Sequence, residues 1–264
     1  MFAEERQQLI SALVTERGRV SVTELADRFS ITTETIRRDL AALEVSGNLR
    51  RVHGGAVPSD RLSTREESIL ERAIQRQAEK LRIAAAALAM IPGPTTGSIL
   101  LDAGSTTETL ADLLAQRTPA SNGSTDELVV ITHAIPIASK LSATPGVALQ
   151  ILGGRVRGLT QAAVGQSTVD AAVKLRPDIA FVGANGIHAT FGLSTPDPEE
   201  AAVKAAFVKS ARRVVALADS SKLDAETLVQ FATLKDVDTL ITDREPSAEL
   251  AAALADAGVD VVVA

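Results

Sequence analysis

Residues 30–57 read SITTETIRRDLAALEVSGNLRRVHGGAV, a stretch that combines a helix cap, an amphipathic helix and a basic hairpin. Thr32 can cap a helix that continues to Gly47. One side of this helix is apolar and must face other helices; it carries Ile36, Leu40 and Leu43. The opposite side is polar and basic. After the helix, apolar and basic residues alternate around Gly54-Gly55, which predicts a β-hairpin.

Two further helical patterns precede this stretch. Apolar residues recur at helical spacing over about residues 3–17, and Gly18 follows where a left-handed residue ends a helix. Ser21 can then cap a second helix that runs to about Phe29. Three helices, a short polar turn between the second and the third, and a hairpin behind them predict a winged helix-turn-helix. Such a domain inserts its third helix into a DNA major groove.

Arginines on the outer side of the third helix and on the hairpin are the candidate DNA contacts: Arg37, Arg38, Arg50 and Arg51. The guanidinium fork can bind a guanine edge or clamp phosphate oxygens. Residues 28–53 carry five arginines and three carboxylates, a net charge of +2, while the whole chain carries −6. DNA would therefore be bound by this small face alone. The alternative is a three-helix packing or dimerisation module whose arginines are merely solvated.

The composition excludes several other functions. The chain has six Phe but no Tyr or Trp, too few aromatic rings to bind single-stranded nucleic acid by stacking. It has no Cys, which excludes disulfides, thiolate catalysis and cysteine-ligated metals. His53, His133 and His188 do not form a metal-ligand spacing, and we predict neither a metal nor a cofactor. Because no signal peptide and no membrane-length apolar run is found, we expect a cytoplasmic protein.

The composition changes behind the hairpin. Residues 54–65 are polar and rich in helix breakers, whereas residues 66–91 read as one long helix. The apolar stripe of this helix comprises Ile74, Ala78, Leu81, Ala85 and Leu88. It would pack on the sheet of its own domain or, as an alternative, form a dimer seam. We predict a winged helix-turn-helix domain at residues 1–58, a linker at 59–74 and a second domain at 75–264.

Short apolar segments alternate with helical stretches through the second domain. The strand candidates are residues 99–101, 129–131, 148–152, 179–182, 214–218, 239–241 and 259–263, and the helix candidates are 107–115, 198–210 and 247–257. Continuous apolar strands that alternate with helices indicate a mostly parallel sheet covered on both faces. The predicted fold class is therefore α/β, with an N-terminal winged helix-turn-helix and a larger, mostly parallel-sheet domain.

The first of these strands is followed by Asp102-Ala103-Gly104-Ser105-Thr106-Thr107, which opens a helix. Glycine permits a close backbone approach, and three hydroxyls with the free amides of a helix start can surround an anion. The alternative is a capped turn without a ligand, and neither a P-loop nor a dinucleotide fingerprint occurs. Other strand ends are also polar or rich in glycine: residues 132–133, 153–155, 183–186 and 219–222. Because ligands bind beyond the carboxyl ends of such strands, these ends together favour a pocket for a polyhydroxylated anion.

The N-terminal pattern resembles the signature of DeoR-family bacterial repressors. The resemblance rests on Thr35-Ile36-Arg37-Arg38-Asp39-Leu40, Leu43-Glu44, Gly47 and Arg51-Val52-His53-Gly54-Gly55-Ala56. It implies DNA contacts from residues 33–38 and from the hairpin at 50–53, with double-stranded operator DNA as the partner. The candidate DNA-binding residues are Ser21, Thr32, Thr33, Glu34, Thr35, Arg37, Arg38, Arg50, Arg51 and His53.

Most of residues 75–264 resemble the sensor domain of the same family. The motifs are residues 101–107, 183–187, 192–196 and 217–222. This domain is related to ribose-5-phosphate isomerases and CoA transferases, so the resemblance implies a bound sugar phosphate, with its phosphate at residues 104–107. The candidate effector-binding residues are Asp102, Gly104, Ser105, Thr106, Thr107, Thr132, His133, Gly153, Gly154, Gly183, Asn185, Gly186, Ser194, Thr195, Lys204, Asp219 and Lys222.

Two details of the resemblance bear on the ligand. His133 stands where the family usually has Asn, so it either alters ligand choice or is an ordinary core or surface histidine. The chain also resembles actinobacterial regulators of fructose uptake, which implies fructose 1-phosphate as the effector.

The relation to isomerases raises the question of catalysis. An aldose–ketose isomerase needs a positioned carboxylate base, and isomerases of this fold resemble Gly-Ala-Asp-Glu-x-Asp followed by Lys-Gly-Gly at that place. Here the stretch reads Gly183-Ala184-Asn185-Gly186-Ile187-His188, without a following Lys-Gly-Gly. Asn185 can bond a sugar hydroxyl but cannot accept the proton.

We therefore predict a non-enzymatic repressor of sugar uptake or catabolism genes. It would be a homo-oligomer whose DNA affinity is controlled by a phosphorylated sugar. The alternatives are a sugar-phosphate isomerase-like enzyme with an appended DNA-binding module and a purely architectural protein.

Overall fold

A computed structural model describes residues 3–18, 20–45, 49–52, 54–58, 66–91, 97–116 and 127–264. The chain divides into two compact units, Met1–Arg65 and Glu66–Ala264. Gly47 and His53 lie outside the described residues, and only the backbone of Arg50 is described. No helix in the described ranges is long and apolar enough to cross a membrane.

The first unit is a winged helix-turn-helix, as the sequence predicts. Its elements are α1 (Ala3–Arg17), β1 (Val20–Ser21), α2 (Val22–Phe29), α3 (Thr33–Val45), β2 (Leu49–Val52) and β3 (Gly55–Pro58). The three strands form an antiparallel sheet in the order β1-β3-β2. The sequence does not predict β1, because two residues are too few for an alternating pattern.

The apolar side of α3 packs on the other two helices of this unit. The buried core includes Ile10, Val14, Leu25, Ile36, Leu40 and Leu43. The Ser21 hydroxyl accepts a hydrogen bond from the Glu24 amide at 3.1 Å, and the Thr32 hydroxyl accepts one from the Thr35 amide at 3.3 Å. Both caps therefore begin their helices where the sequence predicts.

The second unit alternates strands and helices. Its helices are α4 (Ile69–Ile74), α5 (Gln77–Met90), α6 (Ser105–Ala115), α7 (Ile135–Leu141), α8 (Gln166–Ala172), α9 (Pro198–Ser210) and α10 (Ala248–Ala257). Its strands are β4 (Gly97–Leu101), β5 (Leu128–Thr132), β6 (Val147–Ile151), β7 (Arg155–Arg157), β8 (Ala162–Val164), β9 (Ile179–Gly183), β10 (Gly186–His188), β11 (Gly192–Thr195), β12 (Arg213–Leu217), β13 (Val229–Ala232), β14 (Thr239–Thr242) and β15 (Asp260–Val263).

Seven of these strands form one parallel sheet in the order β15-β14-β12-β9-β4-β5-β6. Along β4, Ile99 and Leu101 belong to one buried cluster and Leu100 to the other, so both faces of the sheet are covered. The predicted fold class is confirmed. Two small antiparallel sheets, β10-β11-β13 and β7-β8, were not expected, because strands of three or four residues carry no clear alternation.

The predicted long helix at 66–91 is wrong, because the chain breaks at Gln75 and Arg76 into α4 and α5. Arg76 has φ +49, a left-handed conformation that interrupts a helix. The expected apolar stripe is also misplaced: the residues that α5 buries are Lys80, Ile83, Ala84 and Ala87. As expected, however, α5 packs on the sheet of its own unit, since Ile83 shares a cluster with Ile99.

The described part of the expected linker, residues 66–74, lies within the second unit. Ile69 is buried, and its amide donates to the Leu159 carbonyl at 2.9 Å. Glu66 lies 2.7 Å from the guanidinium of Arg157. These contacts tie the start of α4 to the hairpin between β7 and β8, so this segment is a structural part of the second unit.

Candidate functional site

The outer face of α3 carries the predicted arginines. Arg37 and Arg38 are exposed, while Thr33 and Thr35 are half-buried at the start of the helix. Arg37 Nη1 lies 3.6 Å from Glu34 Oε2 in a solvated pair. Exposed pairs of this kind contribute little to stability, so Arg37 can exchange its partner for a phosphate at small cost.

The hairpin adds Arg51, whose side chain is about half exposed. Its Nε lies 3.3 Å from Glu44 Oε2, and its backbone amide donates to Glu44 Oε1 at 2.8 Å. Glu44 at the end of α3 therefore holds β2 against the helix. Ser21 and Thr32 serve as helix caps, so their hydroxyls already have backbone partners.

A buried ion pair that the sequence analysis missed fixes α3 against α1. Arg6 Nε donates to Asp39 Oδ2 at 2.5 Å, and Arg6 Nη2 donates to Asp39 Oδ1 at 3.1 Å. Gln7 adds a third hydrogen bond to Asp39 at 3.1 Å. Bidentate pairs impose a defined orientation on both partners. Asp39 therefore sets the rotation of α3, and with it the direction of the arginines on the opposite side.

The second unit has a cleft at the carboxyl ends of β4, β9 and β12, with about 610 Å³ of empty space that includes open solvent. We call it the strand-end cleft. Its lining comprises Arg72, Gln75, Arg76, Lys80, Ala103, Gly104, Ser105, Thr106, Thr107, Gly183, Ala184, Asn185, Glu200, Lys204, Leu217, Ala218, Asp219, Ser221 and Lys222. Five cationic side chains and only two carboxylates are in this set, so its electrostatics favour an anion.

Nine of the predicted effector residues line this cleft: Gly104, Ser105, Thr106, Thr107, Gly183, Asn185, Lys204, Asp219 and Lys222. Eight others do not: Asp102, Thr132, His133, Gly153, Gly154, Gly186, Ser194 and Thr195. The first group comes from the ends of three neighbouring strands and from α9.

The start of α6 forms one wall of the cleft. Gly104 is its N-cap, and no side chain in the described residues caps the helix. Thr107 uses its hydroxyl to donate to the Gly104 carbonyl at 2.9 Å, which stabilises the turn. Ser105 and Thr106 line the cleft beside the amides of this first turn. An uncapped helix start of this kind favours negative charge.

A buried charge network lies under the cleft. Asp102 is fully buried, its Oδ2 accepts from the Gly183 amide at 3.0 Å, and it also pairs with Lys204. Burial alone would raise the pKa of Asp102, but the charge of Lys204 outweighs it and brings the pKa to about 2. Asp102 is thus an ionised anchor that joins β4, β9 and α9.

His133 belongs to this network and not to the cleft lining. Its Nδ1 lies 2.7 Å from the Ala163 carbonyl, an acceptor, so Nδ1 carries a proton. Its Nε2 accepts from the Ala103 amide at 3.0 Å. The ring meets Phe207 edge-on at 4.9 Å. Of the two expectations for His133, the structure gives the core histidine, which orients the backbone before Gly104.

The remaining predicted residues outside the lining have structural contacts. Thr132 bonds the Leu101 carbonyl at 2.7 Å, and Thr195 donates to Asn185 Oδ1 at 3.1 Å, which orients that amide. A Cβ on Gly186 would lie 2.5 Å from the Ala225 carbonyl, and one on Gly154 would lie 2.1 Å from Thr168. These two glycines permit close packing of the chain.

Sequence reasoning missed the wall formed by Arg72, Gln75, Arg76 and Lys80. Lys80 is buried and donates to the carbonyl oxygens of Arg72 and, at 2.8 Å, of Gln75. Burial lowers the pKa of Lys80, although Asp219 acts in the opposite direction. Charged residues in a helical pattern normally indicate a solvent-exposed face. The sequence therefore does not predict this wall, which depends on the break between α4 and α5.

A winged helix-turn-helix followed by a parallel-sheet unit with a cationic cleft is the architecture of a two-domain transcriptional regulator. Residues 6–61 match the DeoR-like helix-turn-helix domain, and residues 75–244 match the DeoR C terminal sensor domain. The chain belongs to the DeoR family of transcriptional regulators, as its sequence signature suggests.

Similar proteins include two full-length relatives. A helix-turn-helix transcriptional regulator of Bacillus subtilis, FruR, is 34% identical over 93% of this chain and 93% of its own length. The glycerol-3-phosphate regulon repressor of Escherichia coli is 29% identical over 96% of this chain and 95% of its own length. Among solved structures, ribose 5-phosphate isomerase A of Methanocaldococcus jannaschii aligns with 56% of this chain and 55% of its own, at 20% identity and a TM-score of 0.40.

Proposed function

We propose that this chain represses genes of sugar uptake or catabolism, and that a phosphorylated sugar in the strand-end cleft controls its affinity for DNA. The observation that carries the proposal is the build of the cleft. Cationic side chains face the uncapped start of α6 at the carboxyl ends of three parallel strands. This is where ligands of such sheets bind, and a phosphate suits both walls.

The first unit supports the DNA-binding half of the proposal. Arg37, Arg38 and Arg51 are exposed on one helix and one hairpin, the two elements that contact DNA in winged helix-turn-helix domains. Asp39 holds α3 in a fixed orientation through a buried ion pair. Arg38 would read a base edge and Arg51 would contact a phosphate.

The state of the cleft carboxylates supports a sensor more than an isomerase. Proton transfer beside a carbonyl needs a carboxylate that is free to accept the proton. Of the two in the lining, Glu200 accepts from Thr160 and lies 3.2 Å from Arg157, and Asp219 accepts from the amide and hydroxyl of Ser221. Asn185 also lines the cleft, but its amide oxygen is not basic enough to accept the proton.

The proposed mechanism is linkage between the two sites. A homo-oligomer holds an operator through two or more helix-turn-helix units, and the sugar phosphate binds better to a conformation that spaces these units wrongly. The ligand then releases DNA, and DNA equally weakens ligand binding. Fructose 1-phosphate is the first effector to test. Glycerol 3-phosphate is the second, because the E. coli relative is named for it.

The test is a screen of sugar phosphates against the full chain and a duplex selected from a random DNA pool. Thermal stabilisation of the protein identifies ligands, and fluorescence anisotropy of the labelled duplex measures release. We expect a phosphorylated compound to do both and its unphosphorylated form to do neither. The proposal fails if no duplex is selected, if no phosphorylated compound releases the duplex, or if one of them is converted to a product.

A further inference from the structure

Three of the five cations of the strand-end cleft, Lys204, Lys80 and Arg76, differ in how many of their hydrogen-bond donors already have partners. Lys204 is buried, pairs with Asp102 and donates to the Gly183 carbonyl at 3.0 Å. Lys80 is buried and donates to two backbone carbonyls. Both ammonium groups therefore hold the protein together and have little capacity left for a ligand.

Arg76 is the opposite case. Its contacts in the described part of the chain are a long hydrogen bond from Nη1 to the Ser220 hydroxyl, 3.4 Å, and an ion pair of Nε with Asp219 Oδ1 at 3.6 Å. The second distance exceeds that of a hydrogen bond. A guanidinium has five N–H donors. Most of those of Arg76 therefore have no close acceptor among the described residues, and its side chain is 30% exposed.

The backbone conformation of Arg76 also places this residue at the cleft. Its left-handed φ of +49 creates the break between α4 and α5. Lys80 bonds the carbonyls of Arg72, in the last turn of α4, and of Gln75, at the break itself, and so fixes the bend. A non-glycine residue in this conformation is uncommon and costs energy that the surrounding contacts must offset. The bend is thus a built feature that brings a guanidinium to the lining.

Asp219 does not depend on Arg76. Its Oδ1 accepts from the Ser221 amide at 3.0 Å and from the Ser221 hydroxyl at 2.5 Å. Arg76 can therefore leave Asp219 for a stronger anion without leaving a buried carboxylate bare. A phosphate is such an anion, because it accepts two parallel N–H bonds from one guanidinium.

We propose that Arg76 is the arginine that binds the phosphate of the effector, exchanging its loose contact with Asp219 for a bidentate one. The phosphate then lies between Arg76 and the start of α6. This inference rests on the proposed function, since it assigns a ligand-binding residue to the same cleft. It also makes the segment after the DNA-binding unit part of the effector site.

The experiment compares Arg76→Gln, Arg76→Lys and Arg82→Gln in the full chain. Arg82 lies on the exposed side of α5, where its Nε donates to the Ala264 carbonyl, and it is the matched control. Calorimetry measures the Kd of fructose 1-phosphate, glycerol 3-phosphate and inorganic phosphate at several salt concentrations. Thermal unfolding without ligand verifies that each variant is folded.

We expect Arg76→Gln to weaken binding of the phosphorylated compounds about ten- to hundredfold, the effect of losing a charge-assisted bidentate contact. The dependence of log Kd on log salt should become shallower, which a merely structural role would not cause. Arg76→Lys should regain part of the affinity, and Arg82→Gln should bind like the parent chain.

Two results would overturn the inference. If the parent chain binds these compounds and Arg76→Gln binds them equally well with the same salt dependence, Arg76 does not hold the phosphate, while the proposed function stands. If the parent chain binds none of the three compounds, both the inference and its proposed effector class fail together.

Discussion

Asp102 has no exposed surface, yet it stays ionised because Lys204 and the Gly183 amide replace the water it has lost. Its pKa falls from an ordinary 3.8 to about 2, although burial alone would raise it. A carboxylate whose pKa is lowered by folding stabilises the folded state above its unfolded pKa, and this stabilisation is lost as the pH falls through the folded pKa.

The stability of the folded chain should therefore depend on pH through Asp102. Between about pH 4 and pH 2 the protein should lose about 2 kcal/mol of unfolding free energy through Asp102 alone. Asp102→Asn cannot ionise, so its unfolding free energy should lack this component and the two curves should converge on acidification. Urea unfolding followed by circular dichroism at several pH values measures it. Parallel curves for the two proteins would rule out the assigned role of Asp102.

Arg38 is exposed on α3 and is the residue expected to read a base. Arg38→Ala should weaken operator binding by about 1–3 kcal/mol and relax the sequence preference at one position. Arg17→Ala removes an exposed arginine from α1 in the same unit, outside residues 28–53, and should leave affinity nearly unchanged. Anisotropy with matched and single-base variant duplexes tests both. Equal losses for the two variants would mean that only bulk charge matters.

The hydroxyls of Ser105 and Thr106 should matter for the ligand and not for DNA. The double replacement by Ala removes two hydrogen bonds to the proposed phosphate and should weaken its binding about tenfold or more. Affinity for DNA without ligand should be unchanged. Thr109→Ala is the matched control, because that hydroxyl bonds the Ser105 carbonyl inside α6 and does not line the cleft.

That prediction has a clear negative outcome. If the double variant responds to sugar phosphates as the parent chain does, the start of α6 is a plain turn and the phosphate lies elsewhere.

At the scale of elements, the orientation of α3 depends on one ion pair. Asp39→Asn leaves Arg6 in a buried place without its charge partner, which costs about 3 kcal/mol. Hydrogen exchange of α1 and α3 amides should accelerate about a hundredfold. Glu24→Gln breaks the exposed pair with Arg17 and should change exchange by no more than about fivefold. Similar protection of these amides from exchange in both variants would contradict the role of the Arg6–Asp39 pair in orienting α3.

The elements that the sequence predicts are those with a strong local signal. The seven strands of the parallel sheet are short, mostly apolar segments, and α9 has a cap at Asp197 followed by Pro198, so its start is also visible. The small antiparallel strands lack such a signal. The break at Arg76 has none either, because the hydrogen bonds of Lys80 that hold it form no recognisable sequence pattern.

The same difference between strong and weak local signals explains which parts of the site the sequence predicts. Glycine and hydroxyl residues that follow the strands predict one wall of the cleft. Nine of the seventeen predicted effector residues line the cleft. The other wall comes from charged residues before the first strand of the sheet, whose position depends on how α4 and α5 pack. Buried residues that support the cleft, such as His133, also follow the strands. Sequence spacing alone therefore does not distinguish a residue that lines the cleft from one that lies beneath it.

In the proposed mechanism, the DNA-binding face of the first unit and the strand-end cleft of the second exchange free energy. Linkage requires that a saturating effector weakens DNA binding by the same factor by which DNA weakens effector binding. Coupling of about 1–3 kcal/mol corresponds to a factor of about 5 to 150. Arg38→Ala should abolish much of the DNA affinity without changing the Kd of the effector in the absence of DNA.

The most direct measurement is this closed cycle on the full chain, with operator duplex and fructose 1-phosphate or whichever sugar phosphate the screen identifies. Four dissociation constants, each ligand with and without the other at saturation, are determined by anisotropy and calorimetry. We predict two equal factors greater than about 5, both in the direction of release. An operator affinity that stays the same when the cleft is saturated with a sugar phosphate would contradict the proposed linkage.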